Sequence, residues 1–200
     1  MNKTSLQKFI QEQVKRALQE ENNVSSMKFW HGGNLDPRNL DSDFAQKGGR
    51  YEYGPGLYLT SHYETAAKYA KGSRKLYIVE VNPGTELGDV SIPLEGALEA
   101  VNRFASVKTR REISERIESR SGGSGMVKAS VVLNLLLNTD GAIRSTKTGE
   151  IRQWLIDIGA DYAIVNSPFG WGETMLVLYN VNKIKNVRQA KKEDGQDDFH

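Results

Sequence analysis

The chain has 200 residues, 38% hydrophobic and 26% charged, with 27 Lys and Arg against 25 Asp and Glu, the make-up of one globular domain with a sizeable core. A formal charge of +2 names no polyanionic partner by itself; the absence of cysteine removes disulfides, thiolate nucleophiles and Cys-based metal sites, and with only His31, His62 and His200 as imidazoles no metal is expected. The chain opens without the apolar stretch of a signal peptide, and no run approaches the ~18 apolar residues of a membrane span, so the expected location is the cytoplasm. In chain order, Leu6, Phe9, Ile10, Val14, Ala17 and Leu18 recur at three- and four-residue spacing behind Thr4 and Ser5. That spacing predicts an amphipathic helix over 5–21, with 1–24 as an N-terminal unit. MKFWHGG at 27–33 reads as a short apolar strand running into glycines, followed by a polar loop over 34–50. YEYGPGLYL at 51–59 reads as strand, turn and strand, and Ser61 with Glu64 forms an S-x-x-E capping box for a short helix that Gly72 ends.

LYIVEV at 76–81 is a buried strand closed by Asn82-Pro83-Gly84. Residues 88–147 change texture, with helical patterns over 97–107, 112–119 and 127–137 around a flexible SGGSG at 121–125, and read as a helical insertion. SGGSG is no P-loop, because no Gly-Lys-Ser/Thr follows a strand there. A helix over 151–158 with Gly159 at its end, a strand over 161–165, a loop over 166–172 and a strand over 174–179 complete the domain at about residue 187. The charged stretch over 188–200 reads as a flexible tail.

His31, Tyr58 and Glu173 each sit where a strand meets glycines, on three separate segments. Taken singly, each has a bland reading: a structural histidine, a core tyrosine and a solvated strand end. Their order and wording carry more. FWHGG (29–33), GPGLYLTSHYETAAKYA (54–70), IGADYAIVN (158–166) and GETMLVLYNVNKI (172–184) together resemble the ADP-ribosyltransferase superfamily, in the His-Tyr-Glu branch shared by diphtheria-like toxins and the poly-ADP-ribose polymerases. In the second segment Tyr69 follows Tyr58 by eleven positions, one on a strand and one on the next helix. The likeness covers roughly 27–85 and 150–187.

The resemblance implies an α+β fold, a split pair of antiparallel sheets with flanking helices and NAD, as co-substrate, in the cleft between them. It implies mono-ADP-ribosyl transfer, with Glu173, His31 and Tyr58 catalytic and His31, Gly32, Tyr58, Thr60 and Tyr69 binding NAD. The chemistry of those residue types is coherent. Nicotinamide leaves as a neutral molecule, so no general acid is needed, and a carboxylate against the ribose stabilises the oxocarbenium-like transition state. His31 would hold a ribose hydroxyl, the bare backbone of Gly32 would read the carboxamide, and Tyr58 and Tyr69 would sandwich the pyridinium at ~0.5–2 kcal/mol each. The loop before Glu173 would present Phe169 and Trp171 to the acceptor, unless both are core plugs. Trp171 stands where relatives that modify Arg or Asn carry an acidic or amide residue, which speaks against those acceptors.

Family frequency favours a protein acceptor, while Lys68, Lys71, Arg74 and Lys75 keep nucleic acid open, a solvated helix end being the bland account of the four. The likeness also suggests a phage effector or toxin. The alternatives are an NAD glycohydrolase with water as acceptor and a catalytically silent binding or structural protein of the same fold.

Overall fold

A computed structural model describes residues 26–40, 53–139, 147–166 and 172–199. The expected helix over 5–21, most of the expected loop, and Phe169 and Trp171 lie outside the described residues. The strands are β1 Met27–Gly32, β2 Leu57–Thr60, β3 Leu76–Val81, β4 Ser91–Pro93, β5 Met126–Lys128, β6 Tyr162–Asn166, β7 Thr174–Leu178 and β8 Ile184–Gln189. The helices are α1 Tyr63–Tyr69, α2 Leu94–Phe104, α3 Arg110–Ser121, α4 Ala129–Asn138 and α5 Thr148–Asp157. The protein is therefore mixed α+β.

Six strands form one antiparallel sheet in the order β6-β7-β2-β1-β3-β8, and β4 pairs with β5 apart from it. Pairing is complete between β1 and β3, from Met27 opposite Val81 to Gly32 opposite Leu76, and between β2 and β7, from Leu57 opposite Leu178 to Thr60 opposite Met175. Between β1 and β2 the only matched pair is Trp30 opposite Thr60. The expected pair of sheets is thus a single sheet whose two halves, β6-β7-β2 and β1-β3-β8, meet at a seam held by one pair.

Strand alternation explains why both faces are covered. In β7, Leu176 and Leu178 join Phe29, Leu57, Leu59 and Val79 in one buried cluster. Val177 and Tyr179 face the other way, into a cluster filled by Phe104, Ile113 and Leu136 of the helical insertion and Leu155 of α5. Fully burying side chains of this size contributes roughly 1.5–3 kcal/mol each, which is enough to anchor the insertion on the sheet. A third, smaller cluster sets Trp30 and Ile78 against Ala66 of α1.

The insertion is less purely helical than the pattern over 88–147 implies, because β4 and β5, on either side of α2 and α3, pair with each other, Ser91 opposite Lys128. Within it, Ile113 and Ile117 supply the buried face of α3, while Arg111–Glu115 and Glu112–Arg116 pair along its solvated side. The helix ends on Gly122 at φ 55°, the left-handed conformation a glycine adopts without Cβ strain.

Three local expectations are corrected. Ser61 and Glu64 form no capping box: the N-cap of α1 is His62, with no side-chain cap, because the Ser61 hydroxyl accepts a hydrogen bond from the Thr174 amide at 3.0 Å instead. Gly72 is not the left-handed residue after α1; Arg74 is, at φ 56°. The stretch over 188–199 is not a free tail. β8 runs to Gln189, Arg188 forks onto the Asp194 carboxylate at 2.7 and 2.5 Å, and Phe199 stacks on Trp30 with ring centroids 5.0 Å apart. Its charged composition hid an aromatic anchor at its end.

Candidate functional site

The seam between β1 and β2 gathers most of the singled-out residues. His31, on β1, places Nδ1 3.0 Å from the Tyr58 carbonyl oxygen on β2. A carbonyl cannot donate, so Nδ1 carries a proton in this contact. Gly33, two positions on at φ 142°, would bring a side chain within 3.5 Å of the His31 Nε2.

Gly32 is bare for a packing reason. A Cβ on it would overlap the Ala66 carbonyl oxygen and lie 3.0 Å from the Ala70 amide nitrogen, so α1 can press onto β1 only where β1 has no side chain. That contact fixes the end of α1 beside His31. Tyr69, the last residue of α1, is 61% exposed, with its ring at the surface.

Tyr58 is held at its hydroxyl, which donates to the Gly54 carbonyl at 2.9 Å and accepts from the Tyr53 amide at 3.2 Å. Its ring packs against the helical cluster. Tyr179 completes this corner by donating to the Tyr53 carbonyl at 3.1 Å, and burial, followed by the nearby Tyr58, pushes its phenol above the usual range. Sequence reading missed Tyr179; the signal was the alternation that opposes it to Leu178.

Thr60 and Glu173 meet at the far end of β2. Both are buried, at 5% and 6% exposure, and Thr60 Oγ1 donates to Glu173 Oε1 at 2.6 Å. The His62 amide donates to the same Thr60 oxygen at 3.0 Å, which leaves the hydroxyl proton for the carboxylate. Beyond Thr60 opposite Met175, the Ser61 amide donates to the Thr174 carbonyl at 2.9 Å and its hydroxyl takes the Thr174 amide. Glu173 is therefore tied to β2 from both sides of its peptide neighbour. Ser61 and the Thr60–Glu173 contact went unseen in the sequence because they depend on register between segments over a hundred residues apart.

The segment over 195–199 closes onto the same corner. The Phe199 amide donates to the Ser61 carbonyl at 2.8 Å, the Trp30 indole donates to the Asp197 carbonyl at 3.1 Å, and the Tyr63 amide donates to Asp198 at 2.8 Å. Other quoted residues have structural work: Asp161 takes the Thr85 amide at 2.9 Å and the Asn180 amide group at 2.8 Å, and pairs with Lys183 at 3.3 Å.

Among the described residues no group of three or more His, Asp or Glu side chains is arranged to hold a metal ion, and no helix is long and apolar enough to cross a membrane. An open cleft of 410 Å³ lies in the helical unit, lined by Phe104, Val107, Lys108, Arg110 and Lys147, with no seam residue in its wall. Compared with known proteins, the chain matches no family model, no curated protein and no solved structure.

Proposed function

We propose that the protein is an NAD-dependent mono-ADP-ribosyltransferase of the His-Tyr-Glu type, with an ADP-ribosyltransferase-like fold in which NAD lies along the β1–β2 seam. One observation carries the reading: three segments remote in sequence bring His31, Tyr58, Thr60 and Glu173 to one short strand and its neighbours. The motif spacing, with Tyr69 at the end of the helix that follows β2, agrees with it.

In this reading Glu173 faces the nicotinamide ribose, where a carboxylate shielded from water stabilises developing positive charge more strongly than a solvated one. Thr60 sets the carboxylate's rotamer. His31 hydrogen-bonds a ribose hydroxyl, its ring orientation held by the Tyr58 carbonyl. The rings of Tyr58 and Tyr69 flank the pyridinium, an attraction present in the ground state that fades as the ring loses its charge, so they position NAD more than they lower the barrier. The C1′–N bond breaks with its electron pair going to nicotinamide, and a nucleophile on the acceptor, losing a proton, bonds to C1′.

Nicotinamide release from NAD tests this. Wild-type protein should release nicotinamide, and Glu173→Gln should bind NAD yet turn over ~10²–10³ more slowly. A wild-type protein that neither binds NAD nor releases nicotinamide overturns the reading. Label from NAD that ends only in free ADP-ribose would assign the same pocket to hydrolysis.

A further inference from the structure

Several cations of the described surface are paired, Arg103 with Glu150, Arg111 with Glu115, Arg116 with Glu112, Lys183 with Asp161 and Arg188 with Asp194, while others such as Lys28, Lys108 and Arg120 stand singly without a carboxylate. At the end of α1 and in the turn after it such unpaired cations are concentrated. Lys68, Lys71, Arg74 and Lys75 fall within eight residues, all exposed, and among the described residues none has a carboxylate partner. The acids near α1 lie at its other end, Glu64 in the first turn and Asp198 against the Tyr63 amide. A helix C-terminus favours nearby cations, but that preference fades within a turn and does not account for Arg74 and Lys75.

The patch has a defined place. The Lys75 carbonyl accepts the Gly33 amide at 3.1 Å, so the turn that carries Arg74 and Lys75 abuts the end of the His31 strand, and Lys68 is the chain neighbour of the exposed Tyr69. We propose that this patch binds the phosphate backbone of a nucleic acid, and that the acceptor of ADP-ribose is that nucleic acid; the second half of the statement rests on the transferase reading. Exposed pairs with protein carboxylates contribute little each, whereas closely spaced phosphates release condensed counterions into solution for every cation that neutralises them. Four cations without partners, in one short run at the mouth of the proposed pocket, suit a polyanion.

The test uses the full chain and a variant with Lys68→Gln, Lys71→Gln, Arg74→Asn and Lys75→Gln, the asparagine chosen because it tolerates the left-handed backbone at 74. Binding of a fluorescent single-stranded oligonucleotide is followed by anisotropy against salt. Four phosphate contacts give a slope of about −3 in log K against log salt, a loss of about 50-fold between 50 and 200 mM, and the variant should show weak binding with a slope near zero. With labelled NAD and a cell lysate, nuclease rather than protease should erase the wild-type label, and the variant should label nothing while still releasing nicotinamide. Salt-insensitive wild-type binding, an unchanged slope in the variant, or a protease-sensitive label overturns the proposal. Absence of nicotinamide release from the wild type overturns instead the transferase reading, and the oligonucleotide titration still decides the binding half.

Discussion

Thr60 and Glu173, 113 positions apart in the chain, share a buried hydrogen bond of 2.6 Å between hydroxyl and carboxylate. The Thr60 oxygen is also an acceptor for the His62 amide, so its proton is directed to the carboxylate, and the β2–α1 corner helps set the carboxylate's orientation. The proposed chemistry therefore depends on a threonine as much as on the glutamate.

Replacing that threonine separates the two roles. Thr60→Val keeps the shape but removes one hydrogen bond to a buried carboxylate, at a cost of about 1–3 kcal/mol. Urea denaturation should show the loss, nicotinamide release should fall with it, and Thr60→Ser should restore both. A valine variant as stable and as active as the parent would contradict the role given to Thr60.

Gly32→Ala tests the contact that seats α1. The added methyl meets the Ala66 carbonyl, part of a helix backbone that cannot swing aside as a side chain can. Overpacking of this kind costs ~1–3 kcal/mol, and thermal unfolding should show a clear drop in Tm. Gly72→Ala, which meets nothing within 4 Å, is the control and should change Tm little.

Phe199→Ala removes the ring stacked on the fully buried Trp30. Stability should fall by at least the ~0.5–1.5 kcal/mol that an aromatic pair adds to its burial. Trp30 emission should shift to the red as water reaches the indole; an unchanged spectrum and Tm would mean that this segment does not hold the corner.

Acid should loosen the same segment. Arg188 holds the Asp194 carboxyl far below the usual carboxylate range, chiefly through its hydrogen bonds, and the Lys191 amide adds to this. A folded-state value below the unfolded one gives stability that is present above about pH 3.9 and lost as pH falls from there toward the folded value. Denaturation midpoints measured from pH 7 down to pH 2 should fall less steeply for Asp194→Asn than for the parent. Equal slopes would remove Asp194 from the acid response.

Much of the architecture was legible because it rests on local periodicity. LYIVEV at 76–81 is β3 as read, the alternation after Glu173 yields β7, and the apolar spacing through the insertion yields α2, α3 and α4. The misreadings share one cause. Ser61 looked like a cap and Gly72 like a helix stop, since each residue type suits that local task, yet a neighbouring strand claimed the Ser61 hydroxyl and the left-handed turn fell at Arg74. The end of the chain looked disordered because its charges outnumber its apolar groups, although one phenylalanine suffices when Trp30 waits for it.

What the amino-acid order determined alone is the set of elements and the chemical types along them: a strand ending in His-Gly-Gly, a tyrosine strand and its helix, and a strand that opens on glutamate, each specified by contacts within about ten residues. Only the tertiary structure decided that β2 lies between β1 and β7, which puts the Tyr58 carbonyl on His31 and the Thr60 hydroxyl on Glu173. Strand order and register are settled by burying both faces of one sheet at once, a condition that no stretch of sequence satisfies by itself.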